Sequence, residues 1–193
     1  AQGEPERARA DAEAMLADAR RTRKPALVAQ ALNRRAMVEI RTGQAGAAIV
    51  TAGQALEAAR RSEQPALEAT GLLRLAEAQF RQLASAPAVK TATQAVRLFR
   101  KLGQPLGQGR AWWAVAAARS GQGRAAEADG AAREALALAR SCGDLYGAGN
   151  ATNMLTFHEP DIASRLRLLQ QSLAAFEAAG DVDRGGLADV LEQ

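Results

Sequence analysis

The 193-residue chain has one cysteine, one histidine, three lysines and an aromatic content of only 4%. With Cys142 alone, no intrachain disulfide can form, and a single thiol fits a reducing, cytoplasmic setting. His158 is equally isolated. A structural zinc site takes about four ligands, and Cys142 lies 16 residues away, so neither a metal nor a cofactor is expected. No run of about 18 apolar residues occurs, so no membrane span is expected. The hydrophobic fraction is nevertheless 48%, and it is mostly Ala and Leu, which are strong helix formers. β-branched residues are sparse and period-2 alternation is missing. These features predict an all-α fold.

The formal charge is +4, carried almost entirely by Arg. The arginines are spread along the chain and interleaved with Glu and Asp. That pattern is a solvated helical surface, not the dense basic stripe of a nucleic-acid interface, so no nucleic-acid partner is expected. The opening stretch "AQGEPERARADAEA" is polar and is no signal peptide. Because it lacks an initiator Met, the chain reads as a fragment or a processed form.

Internal repetition is the strongest signal. "TRKP", "SEQP", "LGQP" and "CGDL" end at Pro25, Pro65, Pro105 and Leu145, each 40 residues after the last. Pro at a first helical position costs no hydrogen bond, so three of these tetrads mark helix starts. A second set of turns contains Gly3, Gly43 and Gly123, with Leu83 at the matching place. Between turns lie helical stretches of about 18 residues. Packing positions share the period: Leu32, Leu72 and Trp112; Ala36, Ala76 and Ala116; Ala8, Ala48, Ala88 and Ala128; Ala12, Ala52, Ala92 and Ala132; Leu16, Leu56, Val96 and Leu136. A lone helix hairpin cannot bury its apolar face, but stacked hairpins can. The units span 24–63, 64–103, 104–143 and 144–180. Residues 1–23 read as a lone second helix and 181–193 as the start of a further first helix.

The fourth unit departs from the period. Gly143-Asp144 recurs as Gly180-Asp181, so the register falls from 40 to 37 within "TFHEPDIASRL". Its first helix should stop near Phe157, with Thr152 a poor core filler and Gly147 and Gly149 weakening it. Faster hydrogen exchange is expected at 145–160 than at 105–120.

The stretch "EALALARSCGDLYGAGNATNMLT", from Glu134 to Thr156, resembles a tetratricopeptide-repeat junction. Trp112, Val115, Ala116, Gly123, Ala128, Ala132 and Ala135 take the places of the family's large, small and turn residues. The unit is longer than the usual one of about 34 residues. It is similar to the 40-residue variant of bacterial signalling proteins and kinesin light chains. The resemblance covers nearly the whole chain and implies a right-handed superhelix of stacked antiparallel hairpins, an α-solenoid.

No catalytic residue is expected. His158 in "FHEP" reads as a turn residue and Cys142 as incidental, with no orienting partner legible for either. "GQPLGQGR" lacks phosphate-loop spacing and follows a helix rather than a strand.

In the family, the first helix of each unit lines the concave face. The resemblance implies inward positions at Gln30, Asn33, Met37 and Arg41 in the first unit. In the second they are Thr70, Leu73, Glu77 and Arg81. In the third they are Arg110, Trp113 and Ala117, with Trp112 turned to the core. Asn150, Asn153 and Phe157 complete the set. Asn donates and accepts, Arg suits carboxylates, and Trp113 and Met37 add apolar area. A protein or peptide segment of acidic character fits such a groove, within a larger bacterial signalling or transcriptional regulatory protein. The alternative is a structural spacer that oligomerises through its exposed terminal helices and holds nothing in the groove.

Overall fold

The computed structural model describes residues 3–180, and the expectation for 181–193 lies outside them. Nine helices occupy that range, with no strand among the described residues: α1 (Gly3–Arg21), α2 (Pro25–Arg41), α3 (Ala45–Arg61), α4 (Pro65–Arg81), α5 (Ser85–Lys101), α6 (Pro105–Ser120), α7 (Ala125–Ser141), α8 (Leu145–Thr156) and α9 (Ile162–Ala178). Gly3, expected in a turn, instead opens α1.

Local chemistry sets the boundaries. Pro25, Pro65 and Pro105 are the first residues of α2, α4 and α6, where a missing N–H costs nothing. Five helices end in one motif: a residue with positive φ, flanked by two back-bonds to the last turn. At the end of α2, Gly43 N donates to Ile40 O and Gln44 N to Glu39 O, and Gly43 has φ 74°. The same pair of bonds closes α4 at Leu83, α5 at Gly103, α6 at Gly123 and α7 at Gly143. Arg23 and Glu63 take positive φ in the matching turns after α1 and α3. The α8–α9 turn is built differently. Asp144 and Asp161 cap α8 and α9 with their side chains, accepting from Gly147 N and Ser164 N.

Each helix packs on the next in chain order. In addition α2 touches α4, α4 touches α6 and α6 touches α8, while α3, α5 and α7 make no comparable contact with one another. The even-numbered helices are thus the closely spaced inner layer and the odd-numbered helices the splayed outer layer of a helical-repeat solenoid. The core between layers is largely alanine. Ala36, Ala76, Ala116, Ala48, Ala88, Ala128, Ala52, Ala92 and Ala132 are all fully buried. Small side chains let backbones approach: a Cβ on Gly71 would sit 3.3 Å from Leu56 Cα.

The fourth hairpin solves its shortage of bulk from the other side. Phe176 of α9, 2% exposed, lays its ring where a Cβ on Gly149 would come within 2.8 Å, and it stacks at a tilt on Tyr146 with centroids 5.4 Å apart. Ser172 Oγ donates to Gly149 O at 2.9 Å. Gly149 therefore admits the large residue that the Thr152 position lacks. Helix α8 has 12 residues and ends at Thr156.

Candidate functional site

Helix α2 is flanked by α1, α3 and α4, so only one stripe of it stays open. That stripe carries Gln30, Arg34 and Arg41, with Met37 half-buried beside them. The corresponding stripe of α4 carries Thr70, Arg74, Glu77 and Arg81. Both stripes lie on helices of the inner layer.

The sequence-selected positions divide on this surface. Met37, Arg41, Glu77, Arg81, Arg110, Trp113 and Asn150 keep exposed or partly exposed side chains. Asn33, Leu73 and Asn153, which share one position of the 40-residue unit with Trp113, are buried at 6%, 3% and 9% exposure. Leu73 belongs to the hydrophobic core and offers no ligand surface. The two asparagines are different in kind. Neither Nδ2 nor Oδ1 of Asn33 makes a hydrogen bond among the described residues, and Asn153 Oδ1 makes none. A buried polar group without a partner costs about 1–3 kcal/mol.

The charged groups are largely pre-engaged. Arg74 and Glu77 pair at 2.6 Å with both side chains 16% exposed. Arg110 reaches across to the next hairpin, Nε lying 3.3 Å from Asp144 Oδ2. Asp144 also caps α8, so Arg110 holds a helix start. Arg81 is exposed and makes no ion pair among the described residues. Trp113 and Trp112 are both half-buried against the core, so they do not separate cleanly into groove and packing roles. Trp113 meets the edge of Phe80 with centroids 6.4 Å apart and planes at 82°.

One polar cluster escaped the sequence reading. His158 Nδ1 lies 2.8 Å from Asp129 Oδ1, and His158 Nε2 lies 3.0 Å from Ser120 Oγ. The three come from the α8–α9 turn, α7 and the end of α6. A signal for them existed in the repeats. Ser120 stands where the earlier units have Ile40 and Phe80, Asp129 where they have Ile49 and Val89, and His158 where they have Val38, Ala78 and Ala118. Three apolar positions have become polar together. The order Ser–His–Asp matches that of an acyl-transfer triad, but such chemistry needs free N–H donors beside the nucleophile. Here the N–H groups of Gly121, Gln122, Gly123 and Arg124 all donate to carbonyls of α6. The cluster is a clip that ties the shortened turn to the preceding hairpin.

Among the described residues, no three His, Cys, Asp or Glu side chains gather as a metal site, and no helix is long and apolar enough to cross a membrane. Cys142 is exposed and unpaired.

No protein-family model matches the chain, and no curated protein sequence matches it. Solved structures do. The chain is similar to a Rap protein complexed with Competence and Sporulation Factor, with 19% identity and a TM-score of 0.73 over 84% of this chain and 46% of that one. It is also similar to BtubC (BKLC) from P. vanneervenii, with 19% identity and a TM-score of 0.57 over 98% of this chain and 89% of that one. The chain thus spans less than half the length of the Rap protein. At these identities the likeness shows the fold: the chain is an α-helical repeat solenoid.

Proposed function

We propose that the chain is a non-catalytic peptide- or protein-binding scaffold of tetratricopeptide type, acting within a larger bacterial signalling or regulatory protein in the cytoplasm. The observation that carries this reading is the inner-layer pair Asn33 and Asn153, whose buried amide atoms go unpartnered at a position where a sibling repeat has Leu73. A fold stabilised by alanine packing gains nothing from such residues, whereas a ligand backbone would satisfy them with small side-chain shifts. Arg81 and Arg41 at the groove's edge favour acidic side chains, and Trp113, Met37 and Phe157 supply apolar contact. The Rap protein's complex with Competence and Sporulation Factor supports the same use of the fold.

The spacer reading draws on one observation: Arg110 and Glu77 already have partners within the chain. Selection from a displayed random-peptide library, with this chain as bait, separates the two. Acidic peptides should be enriched, and their affinity should drop at least tenfold in a Trp113→Ala, Arg81→Glu variant of unchanged helix content. Failure to enrich any peptide, or equal affinity for both proteins, would leave the spacer reading standing.

A further inference from the structure

Arginines that lie far apart in the sequence line up on one edge of the stack. Turns of three residues, 22–24, 62–64, 102–104 and 142–144, lead from each outer helix to the next inner one. The ends of α1, α3, α5 and α7 and the starts of α2, α4, α6 and α8 therefore share that edge. The penultimate residues of α1, α3, α5 and α7 are Arg20, Arg60, Arg100 and Arg140, all of them exposed. No other position exposed in all four of these helices keeps one residue type. Ion pairing does not account for the repetition. Arg60 Nε lies 3.0 Å from Glu68 Oε1, but Val28, Gln108 and Ala148 stand at the matching places. Arg20, Arg100 and Arg140 make no ion pair among the described residues. The helix dipole favours a cation in a last turn, and the inner helices α2, α4 and α6 each have one there. The outer helices α1, α3 and α5 add a second: Arg21, Arg61 and Lys101. Of the acids beside these turns, Asp18 is taken by Arg21, Glu68 by Arg60 and Asp144 by Arg110, which leaves Glu63 to oppose the row. Like charges gathered in this way repel one another until an anion meets them.

Leucines interrupt the cationic row. Leu27, Leu106 and Leu145, in the first turns of α2, α6 and α8, are 37%, 44% and 45% exposed. We infer that this edge is an interaction surface separate from the groove, and that it docks peripherally on an anionic membrane. Lipid phosphates take the guanidinium forks, and the leucines enter the headgroup–acyl boundary beside them. The phosphate backbone of a nucleic acid would meet the arginines but give the leucines no apolar contact. Residues 20–24 are all exposed, so the turn projects toward a surface and does not enclose a segment. Peripheral docking of this kind needs no membrane-spanning helix. Each Lys or Arg brought to an anionic bilayer raises partitioning about fivefold.

Cosedimentation with vesicles of phosphatidylcholine carrying about one-third phosphatidylglycerol tests this. The chain should bind them, bind vesicles of phosphatidylcholine alone at least tenfold less, and be released by high salt. Arg100→Gln with Lys101→Gln should weaken binding at least tenfold. Lys90→Gln with Arg133→Gln removes the same charge from exposed positions of α5 and α7 away from this edge, and should leave binding unchanged. Arg20→Gln with Arg140→Gln provides the reading should the first pair lose helix content. Leu27→Ala with Leu106→Ala should weaken binding severalfold at constant charge. Equal binding to the two kinds of vesicle, or equal losses in the edge pairs and the Lys90, Arg133 pair, overturns the inference. Binding that ignores the leucine substitutions and is displaced by duplex DNA or polyglutamate also overturns it, by assigning the row to a nucleic acid or an acidic protein.

Discussion

Asp129 Oδ1 lies 2.8 Å from His158 Nδ1 across 29 residues of sequence, and Ser120 closes the other side of the ring at 3.0 Å. Removing only the imidazole strands two partly buried polar groups. His158→Val should therefore lower stability by about 1–3 kcal/mol. Restoring the first unit's apolar set, with Ser120→Ile, Asp129→Ile and His158→Val together, should recover most of that loss, because no group is left unpartnered. Urea midpoints of the single and triple variants check this. Equal losses in both would show that the three side chains do not act as a unit.

Asn33→Leu places in the first hairpin the residue that the second has at Leu73. It removes two buried atoms without partners, so stability should rise by about 1–3 kcal/mol. Under the proposed function the same change removes ligand-binding groups, so affinity for a selected peptide should fall. Thermal unfolding and peptide anisotropy on one sample set measure both. A variant that gains stability and keeps its affinity would remove Asn33 from the binding face.

Leu83 adopts φ 61° where the matching turns have Gly43 and Gly123, and it is 87% exposed. Its side chain thus bears left-handed strain while packing on little. Leu83→Gly should stabilise the chain by about 1 kcal/mol, since the left-handed conformation costs a non-glycine residue roughly 1–2 kcal/mol and added chain entropy offsets part of the gain. A lowered urea midpoint in this variant would contradict that reading.

Asp161 caps α9, and its hydrogen bonds with Ser164, side chain first and backbone N–H second, hold its carboxyl below the ordinary range. A group whose pKa is depressed on folding contributes stability that is present above its unfolded pKa and is lost as pH falls through the folded value. Fraying of α9 should therefore begin only in acid, below the usual aspartate range. Asp161→Asn, which keeps the cap but cannot titrate, should remove that acid-dependent step from amide exchange at 162–166. An unchanged acid profile in the Asn variant would assign the step to another group.

The 40-residue period, the helix starts at Pro25, Pro65 and Pro105, and the register change in the fourth unit are all legible in one dimension. Each is local: a missing N–H, a left-handed turn residue and an apolar spacing act within one or two helical turns. The sequence by itself thus determined an all-helical stack of hairpins, while the inner place of each first helix was implied only by the resemblance to tetratricopeptide repeats. It also named Trp113 and Arg81 as surface candidates. It could not rank Asn33 or Leu73 by burial, because exposure at that position depends on how closely the next inner helix approaches. Tertiary structure alone decided that Arg110 would hold Asp144 and that Phe176 would fill the space beside Gly149. It alone brought Ser120, Asp129 and His158 together. Those contacts join residues 27 to 38 positions apart, and their partners are chosen by the offset between stacked hairpins, a rotation and translation that periodicity along the chain does not specify.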